Sequence, residues 1–213
     1  MKEISNLIAY RPDVRVVDAT LRDGGLVNDF YFTDEFVKAL YLANLRAGVD
    51  YMEFGYKSSK EMFDVNKFGK WKFCNDEDIR AVVGDNATDL KIAVMADVGR
   101  CDYKTDIIDR ADSPIDLIRV ATYLNAIPSA VQMIEDAAKK GYEVSCNIMA
   151  ISNSQEGELR AALEILAQTP VDVLYIVDSY GAMYPEQVAR LADLYVNIAV
   201  KYGKKVGIHA HNN

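Results

Sequence analysis

The chain has 213 residues, 50% hydrophobic and 26% charged, with a formal net charge of −8. That length and apolar content suit one globular unit able to bury a sizeable core. An acidic balance with no basic stripe argues against nucleic-acid binding. No apolar run of about 18 residues is present that would span a membrane.

Residues 1–6 lack the apolar core of a secretion signal. The three cysteines, Cys74, Cys101 and Cys146, are scattered, which argues against a disulfide framework or a structural zinc site. Each reads as a small core residue, and the expectation is a reduced, cytoplasmic protein.

Residues 14–21 read as a first strand. Thr33 caps a helix whose first turn carries Asp34 and Glu35, and Gly48 ends it. Residues 51–55 form a second strand with Glu53 inside it, followed by a polar connection over 57–75. A helix from about Asp76 leads to a third strand at 91–96. The fourth strand spans 116–122. An amphipathic helix at 128–140 is closed by Gly141. Strand 143–149, helix 158–168 and strand 171–178 follow. Pro185 sits at the first position of a helix that runs to Tyr202 and stops at Gly203. Residues 205–211 form the seventh strand.

This strand–helix alternation repeats roughly every 30 residues, the mark of a parallel α/β sheet. Seven such strands fit a TIM (β/α) barrel lacking its last strand and helices. The expectation is a single barrel domain over residues 1–213, truncated at its C-terminus. A doubly wound open sheet is the structural alternative. The missing glycine-rich dinucleotide fingerprint after the first strand weakens it.

His209 and His211 are the only histidines. Two apart on a strand, they project from one face. An imidazole pair on one face is half of a divalent-metal site, and two unliganded strand histidines are the alternative. Asp23 follows the first strand at the barrel face where active sites gather, so it could supply an oxygen ligand. Arg22 beside it keeps its proton and could stabilise a developing oxyanion. Gly24 and Gly25 would allow a sharp departure from the strand. Ser179, after the sixth strand, could donate to a substrate carboxylate, or simply belong to the turn before Pro185. Glu53, a carboxylate inside an apolar strand, needs a partner such as Arg22 or Arg119.

Asp18-Ala19-Thr20-Leu21-Arg22-Asp23-Gly24 resembles the first-strand signature of the DRE-TIM metallolyase superfamily, the group that includes the HMG-CoA lyases. His209-Ala210-His211-Asn212-Asn213 resembles that superfamily's HxHN motif. Within it, residues 118–122 and 178–183 look like the fourth and sixth strand ends of the 4-hydroxy-2-oxovalerate aldolases. The resemblance runs from about Val14 to Asn213.

It implies that Asp23, His209 and His211 hold a divalent cation, with Mn favoured by the two imidazoles over Mg, and Co or Zn as other fillers. It implies a carbon–carbon lyase in which the metal chelates a 2-oxo acid, with Arg22, Ser179 and Thr122 around the substrate and Arg22 stabilising an enolate. Pyruvate and an aldehyde would be the products. A homo-oligomer is left open, and an aldehyde dehydrogenase partner follows from the resemblance alone.

One position departs from the pattern. Where those aldolases carry a histidine as catalytic base, this chain has Leu26, and it has no third histidine. Asn28, Asp29 and Tyr180 are the nearby polar groups. An acyl-CoA condensing enzyme of the isopropylmalate synthase type, and a non-catalytic 2-oxo acid binding barrel, share the same motifs.

Overall fold

A computed structural model of the chain describes Arg11 and residues 13–211. Residues 1–6, and Asn212 and Asn213 of the C-terminal motif, lie outside the described residues.

The elements are β1 (Val17–Asp18), α1 (Thr20–Gly24), α2 (Asp34–Ala47), β2 (Tyr51–Tyr56), α3 (Asp76–Val83), β3 (Lys91–Asp97), β4 (Leu117–Thr122), α4 (Ile127–Lys139), β5 (Glu143–Ile148), α5 (Glu156–Ala167), β6 (Val173–Asp178), α6 (Pro185–Lys201) and β7 (Lys205–Ala210). All seven strands are parallel, in the order β1-β2-β3-β4-β5-β6-β7. A doubly wound sheet reverses its strand order at a switch point, and this one never does. The sheet curls into part of a barrel, so that Arg22 after β1 meets His209 of β7 across 187 residues of sequence.

Burial follows position in the sheet. All six residues of β4 are buried, as expected for a strand covered on both faces. β7 lies at the edge, and Ile208 is 59% exposed. A repeated device pins the N-terminal ends of the strands. Asp50, Asp116 and Asp172 each precede an even-numbered strand. Their carboxylates accept from the Val16, Ile92 and Val144 N–H groups of the preceding chain segment at 2.8–2.9 Å. Thr33 accepts from Phe36 N–H at 3.2 Å and caps α2, and Gly48 closes it at φ +69°.

Three expectations need correction. Residues 14–21 do not form one strand. Val14 and Val16 are exposed, and only Val17–Asp18 pair with β2. The Asp18 carboxylate accepts from both the N–H and the hydroxyl of Thr20, a local turn that competes with extension and starts α1. Gly25 serves close approach and not a special backbone angle. Its φ is −60°, but a Cβ there would lie 2.2 Å from the Phe30 ring and 2.9 Å from the Leu21 carbonyl.

The connection at 57–75 is also far from a plain polar loop. Lys57, Ser58, Ser59 and residues 71–74 are buried, and a 3₁₀ turn spans Lys70–Lys72. It packs onto β2 at Gly55, where a Cβ would fall 1.9 Å from the Trp71 carbonyl.

Candidate metal centre

The single turn of α1 carries Arg22 and Asp23 over the C-terminal end of the sheet, the face where barrel enzymes gather their reacting groups. Arg22 is 4% exposed, Glu53 0% and Arg119 1%. Glu53 Oε2 accepts from Arg22 Nε at 3.0 Å and from Arg119 Nη1 at 2.5 Å. The buried carboxylate of β2 therefore has both of its expected partners. Arg119 in turn lies under the Tyr175 ring, 4.7 Å from its centre. Gly207 of β7 leaves room for that ring, since a Cβ there would come within 2.6 Å of it.

Arg22 also bonds the Asp23 carboxylate through Nη1. Burial works against its charge, but Glu53, Tyr56 and Asp23 outweigh that, and the guanidinium holds its proton more firmly than usual. For Asp23, burial pushes the carboxyl up. The bond to His209 and the charge of Arg22 overcome it and hold the group below the usual carboxylate range.

The contacts of the two rings define what their nitrogens face. His209 Nε2 lies 3.3 Å from Arg22 Nη2, which can only donate, and 3.3 Å from Asp23 Oδ2, which can only accept. His211 Nδ1 lies 3.0 Å from the Ser179 carbonyl oxygen. That nitrogen donates, and the lone pair of the neutral ring falls on His211 Nε2. The two Nε2 atoms face each other at 3.1 Å. Asp23 Oδ2 is 3.3 Å from the first and Oδ1 3.7 Å from the second. All three ligand atoms fall within 4.8 Å of one another.

Two imidazole nitrogens and a carboxylate oxygen turned towards one point make a donor set for a cation. Nitrogens bound side by side to one ion at about 2.1 Å stand about 3 Å apart, which matches the separation found. The residues present fit a divalent cation.

The other expected residues are placed less directly. Ser179 touches the centre through its carbonyl, which orients His211, while its hydroxyl accepts from Ala150 N–H at 2.9 Å. Its loop is held by Asp178, whose carboxylate accepts from Met183 N–H at 3.0 Å and Ala182 N–H at 3.1 Å. Thr122 is buried at the end of β4, where its hydroxyl donates to the Tyr123 carbonyl at 3.1 Å. Among the described residues it has no bond to Arg22, Asp23 or either histidine. Leu26 is 58% exposed on the loop after α1. Asn28 is committed to that loop, donating to the Tyr31 carbonyl and accepting from Phe30 N–H.

Sequence reasoning missed Tyr56, Asp97 and Lys72. Tyr56 lies beside Arg22, its ring centre 6.0 Å from Cζ, and burial pushes its hydroxyl up to about 12. Asp97 ends β3 with Oδ1 sealed and unpartnered, and burial raises its carboxyl above the usual range. Period 2 continued past Met95 would have marked Asp97, whereas Tyr56 lies three residues past Glu53 and pairs with Met95 only through the register shift between Glu53 and Tyr56.

The HMGL-like family model matches residues 13–213. The chain is 30% identical over 201 residues to 4-hydroxy-2-oxovalerate aldolase 1 of Rhodococcus erythropolis, covering 94% of this chain and 57% of that protein. It is likewise 30% identical over 201 residues to 4-hydroxy-2-oxovalerate aldolase 3 of Rhodococcus jostii, covering 94% and 58%. The chain thus spans a little over half the length of these curated relatives. Among solved structures, hydroxymethylglutaryl-CoA lyase from Pseudomonas aeruginosa superposes with a TM-score of 0.66 at 16% identity, over 92% of this chain and 67% of that one. The carboxyl transferase domain of Rhizobium etli pyruvate carboxylase gives 0.62 at 14% identity, over 92% and 39%. At those identities the likeness is one of fold.

Proposed function

This chain belongs to the HMGL-like family, and on that premise we propose that it is the core of a divalent-metal-dependent carbon–carbon lyase, an aldolase that releases pyruvate or a related 2-oxo acid and an aldehyde. The observation that carries this reading is the convergence of His209 Nε2, His211 Nε2 and the Asp23 carboxylate within 4.8 Å of one another, within reach of a permanently charged arginine. Residues 13–213 act as one catalytic unit in this reading.

A divalent cation held by Asp23, His209 and His211 supplies Lewis acidity towards the carboxylate and carbonyl oxygens of a 2-oxo acid. Mn suits the two-imidazole set, with Co, Zn and Mg as other candidates. Ser179 holds the His211 ring in the tautomer that offers Nε2. Arg22 serves the oxygen on which negative charge grows as the bond between C3 and C4 of a 4-hydroxy-2-oxo acid breaks. Its bond to Glu53, and Glu53's bond to Arg119, fix the guanidinium before substrate arrives, so no reorganisation is needed when the charge appears. The C4 hydroxyl must lose its proton as the aldehyde forms, and C3 must gain one to give the 2-oxo acid. Leu26 takes part in neither transfer.

The three cysteines are free and buried, and burial pushes the thiols of Cys101 and Cys146 up to about 12, which suits a reduced cytoplasmic setting.

The test is metal analysis with Mn titration of the protein and of His211→Ala, followed by pyruvate release from 4-hydroxy-2-oxo acids. Binding abolished by the substitution, with turnover that depends on the ion, is the expected result. A protein that binds no divalent ion, or binds one equally well without His211, overturns the reading. Leu26 favours a second reading, a barrel that binds a 2-oxo acid without turning it over. Tight oxalate binding with no turnover in any Mn-loaded form would select it.

A further inference from the structure

Two lysines of the described chain are buried, and their surroundings differ. Lys57 has a carboxylate, Asp76, at 2.5 Å. Lys72 is only 6% exposed, yet among the described residues its ammonium makes no hydrogen bond and no ion pair. It sits among four aromatic rings, with Nζ 4.4 Å from the centre of Phe63, 4.7 Å from Tyr56, 5.1 Å from Phe30 and 5.6 Å from Phe68.

Such rings attract a cation through their faces, but they offer no lone pair to its three N–H groups. The carboxylate that acts on it, Asp97, is half-buried, and its ion contact is with Arg100 at 3.7 Å. The Lys72 nitrogen is nevertheless not a sealed atom, in contrast to Glu53 Oε1 and Asp97 Oδ1 nearby.

The cage is built, not incidental. Asp29 and Phe30 both adopt left-handed backbone angles, φ +54° and +66°. Gly69 N–H donates to the Asp29 carbonyl at 2.8 Å, clamping the loop after α1 to the turn that carries Lys72. A Cβ on Gly69 would fall 2.0 Å from the Phe30 carbonyl. This turn follows β2 on the same face as the metal centre, and the Tyr56 ring is shared by Arg22 and Lys72.

We propose that Lys72 is a recognition group for an anionic substituent, a carboxylate or a phosphate, on the half of the substrate that leaves as the aldehyde. The inference rests on the aldolase reading above and narrows its substrate class. A three-donor cation with no acceptor among the described residues, its nitrogen ringed by four aromatic side chains and not fully sealed, is arranged to receive an anion. The small uncharged aldehyde implied by a 4-hydroxy-2-oxovalerate substrate would leave all three donors unused.

The test uses the full chain loaded with Mn. Aldol formation from pyruvate is compared for glycolaldehyde phosphate against glycolaldehyde, and for succinic semialdehyde against butyraldehyde. In parallel, calorimetry measures binding of inorganic phosphate and of malonate to the protein, with no turnover required. A preference of at least tenfold in kcat/KM for one charged acceptor is expected, phosphate or carboxylate according to which pair shows it. Lys72→Met should reduce that preference at least tenfold, and Lys72→Arg should keep most of it. Melting curves show whether each variant is folded, and Lys72→Arg serves if the Met variant is not. Phosphate or malonate binding that needs Lys72, without any aldol turnover, would sink the aldolase reading and leave the anion site standing. Turnover with no charge preference and no anion binding would overturn the assignment of Lys72 while the aldolase reading survives.

Discussion

Replacing Glu53 by Gln removes one negative charge and almost no volume. The wild-type residue is fully buried and its Oε2 accepts from both Arg22 and Arg119. After the change, two guanidiniums at 4% and 1% exposure would share only Asp23, which touches Arg22 alone. Stripping one partner from a buried ion cluster costs about 3–5 kcal/mol. The Gln amide oxygen can still accept one bond, which returns about 1 kcal/mol. The expected loss is about 3 kcal/mol, or roughly 6–12 °C in Tm for a chain of this size. Arg119→Met should cost less, because Glu53 keeps its bond to Arg22 and no charge of either sign is left without a partner. Urea and thermal unfolding of both variants give the comparison. A loss below about 1 kcal/mol for Glu53→Gln, or a larger loss for Arg119→Met, would refute the claim that this carboxylate neutralises the barrel interior.

Saturation with Mn at about 100 times its dissociation constant should stabilise the wild type by about 2.7 kcal/mol, seen as a rise in Tm. Asp23→Asn should lose most of that rise, and chelator should reverse it. Gly55→Ala should destabilise by more than about 3 kcal/mol, since its Cβ would sit 1.9 Å from a backbone carbonyl. Gly157→Ala, in α5 with nothing within 4 Å of the added carbon, should instead stabilise by about 0.5–1 kcal/mol, and denaturation curves of the pair check both signs. Bonds from the Met183 and Ala182 N–H groups hold the Asp178 carboxyl below its ordinary value. Its folded pKa is depressed, so its contribution is present above pH ~4 and is lost as the pH falls further. The acid limb of the stability–pH curve should therefore flatten in Asp178→Asn.

Most of the sheet was legible because its strands are apolar runs separated by capped helices, and β2 to β7 fall within a few residues of expectation. The first strand misled because Val14 and Val16 carry the alternating pattern yet are exposed, with the ladder to β2 confined to Val17–Asp18. Asp23, His209 and His211 could be brought together from sequence because Asp23 follows the first strand and the histidines close the seventh on one barrel face. The partnership of Glu53 was legible as an acid in an apolar run that had to find a base. The role of Ser179 was not, because a backbone carbonyl leaves no trace in residue identity. Nor was the enclosure of Lys72, whose four rings come from separate stretches of chain brought together by loop contacts.

The strand order has a mechanical consequence. β1 pairs only with β2, and β7 only with β6, so among the described residues no ladder of backbone bonds closes the curve of the sheet. What joins its two margins on the active face is a handful of side chains, Arg22 and Asp23 on one and His209 and His211 on the other. A ligand held by Asp23 and both histidines is then a clasp between the first stretch and the seventh strand of the described sheet. Its affinity would report the curvature of the whole sheet, and anything that flattens the sheet would loosen the clasp from a distance.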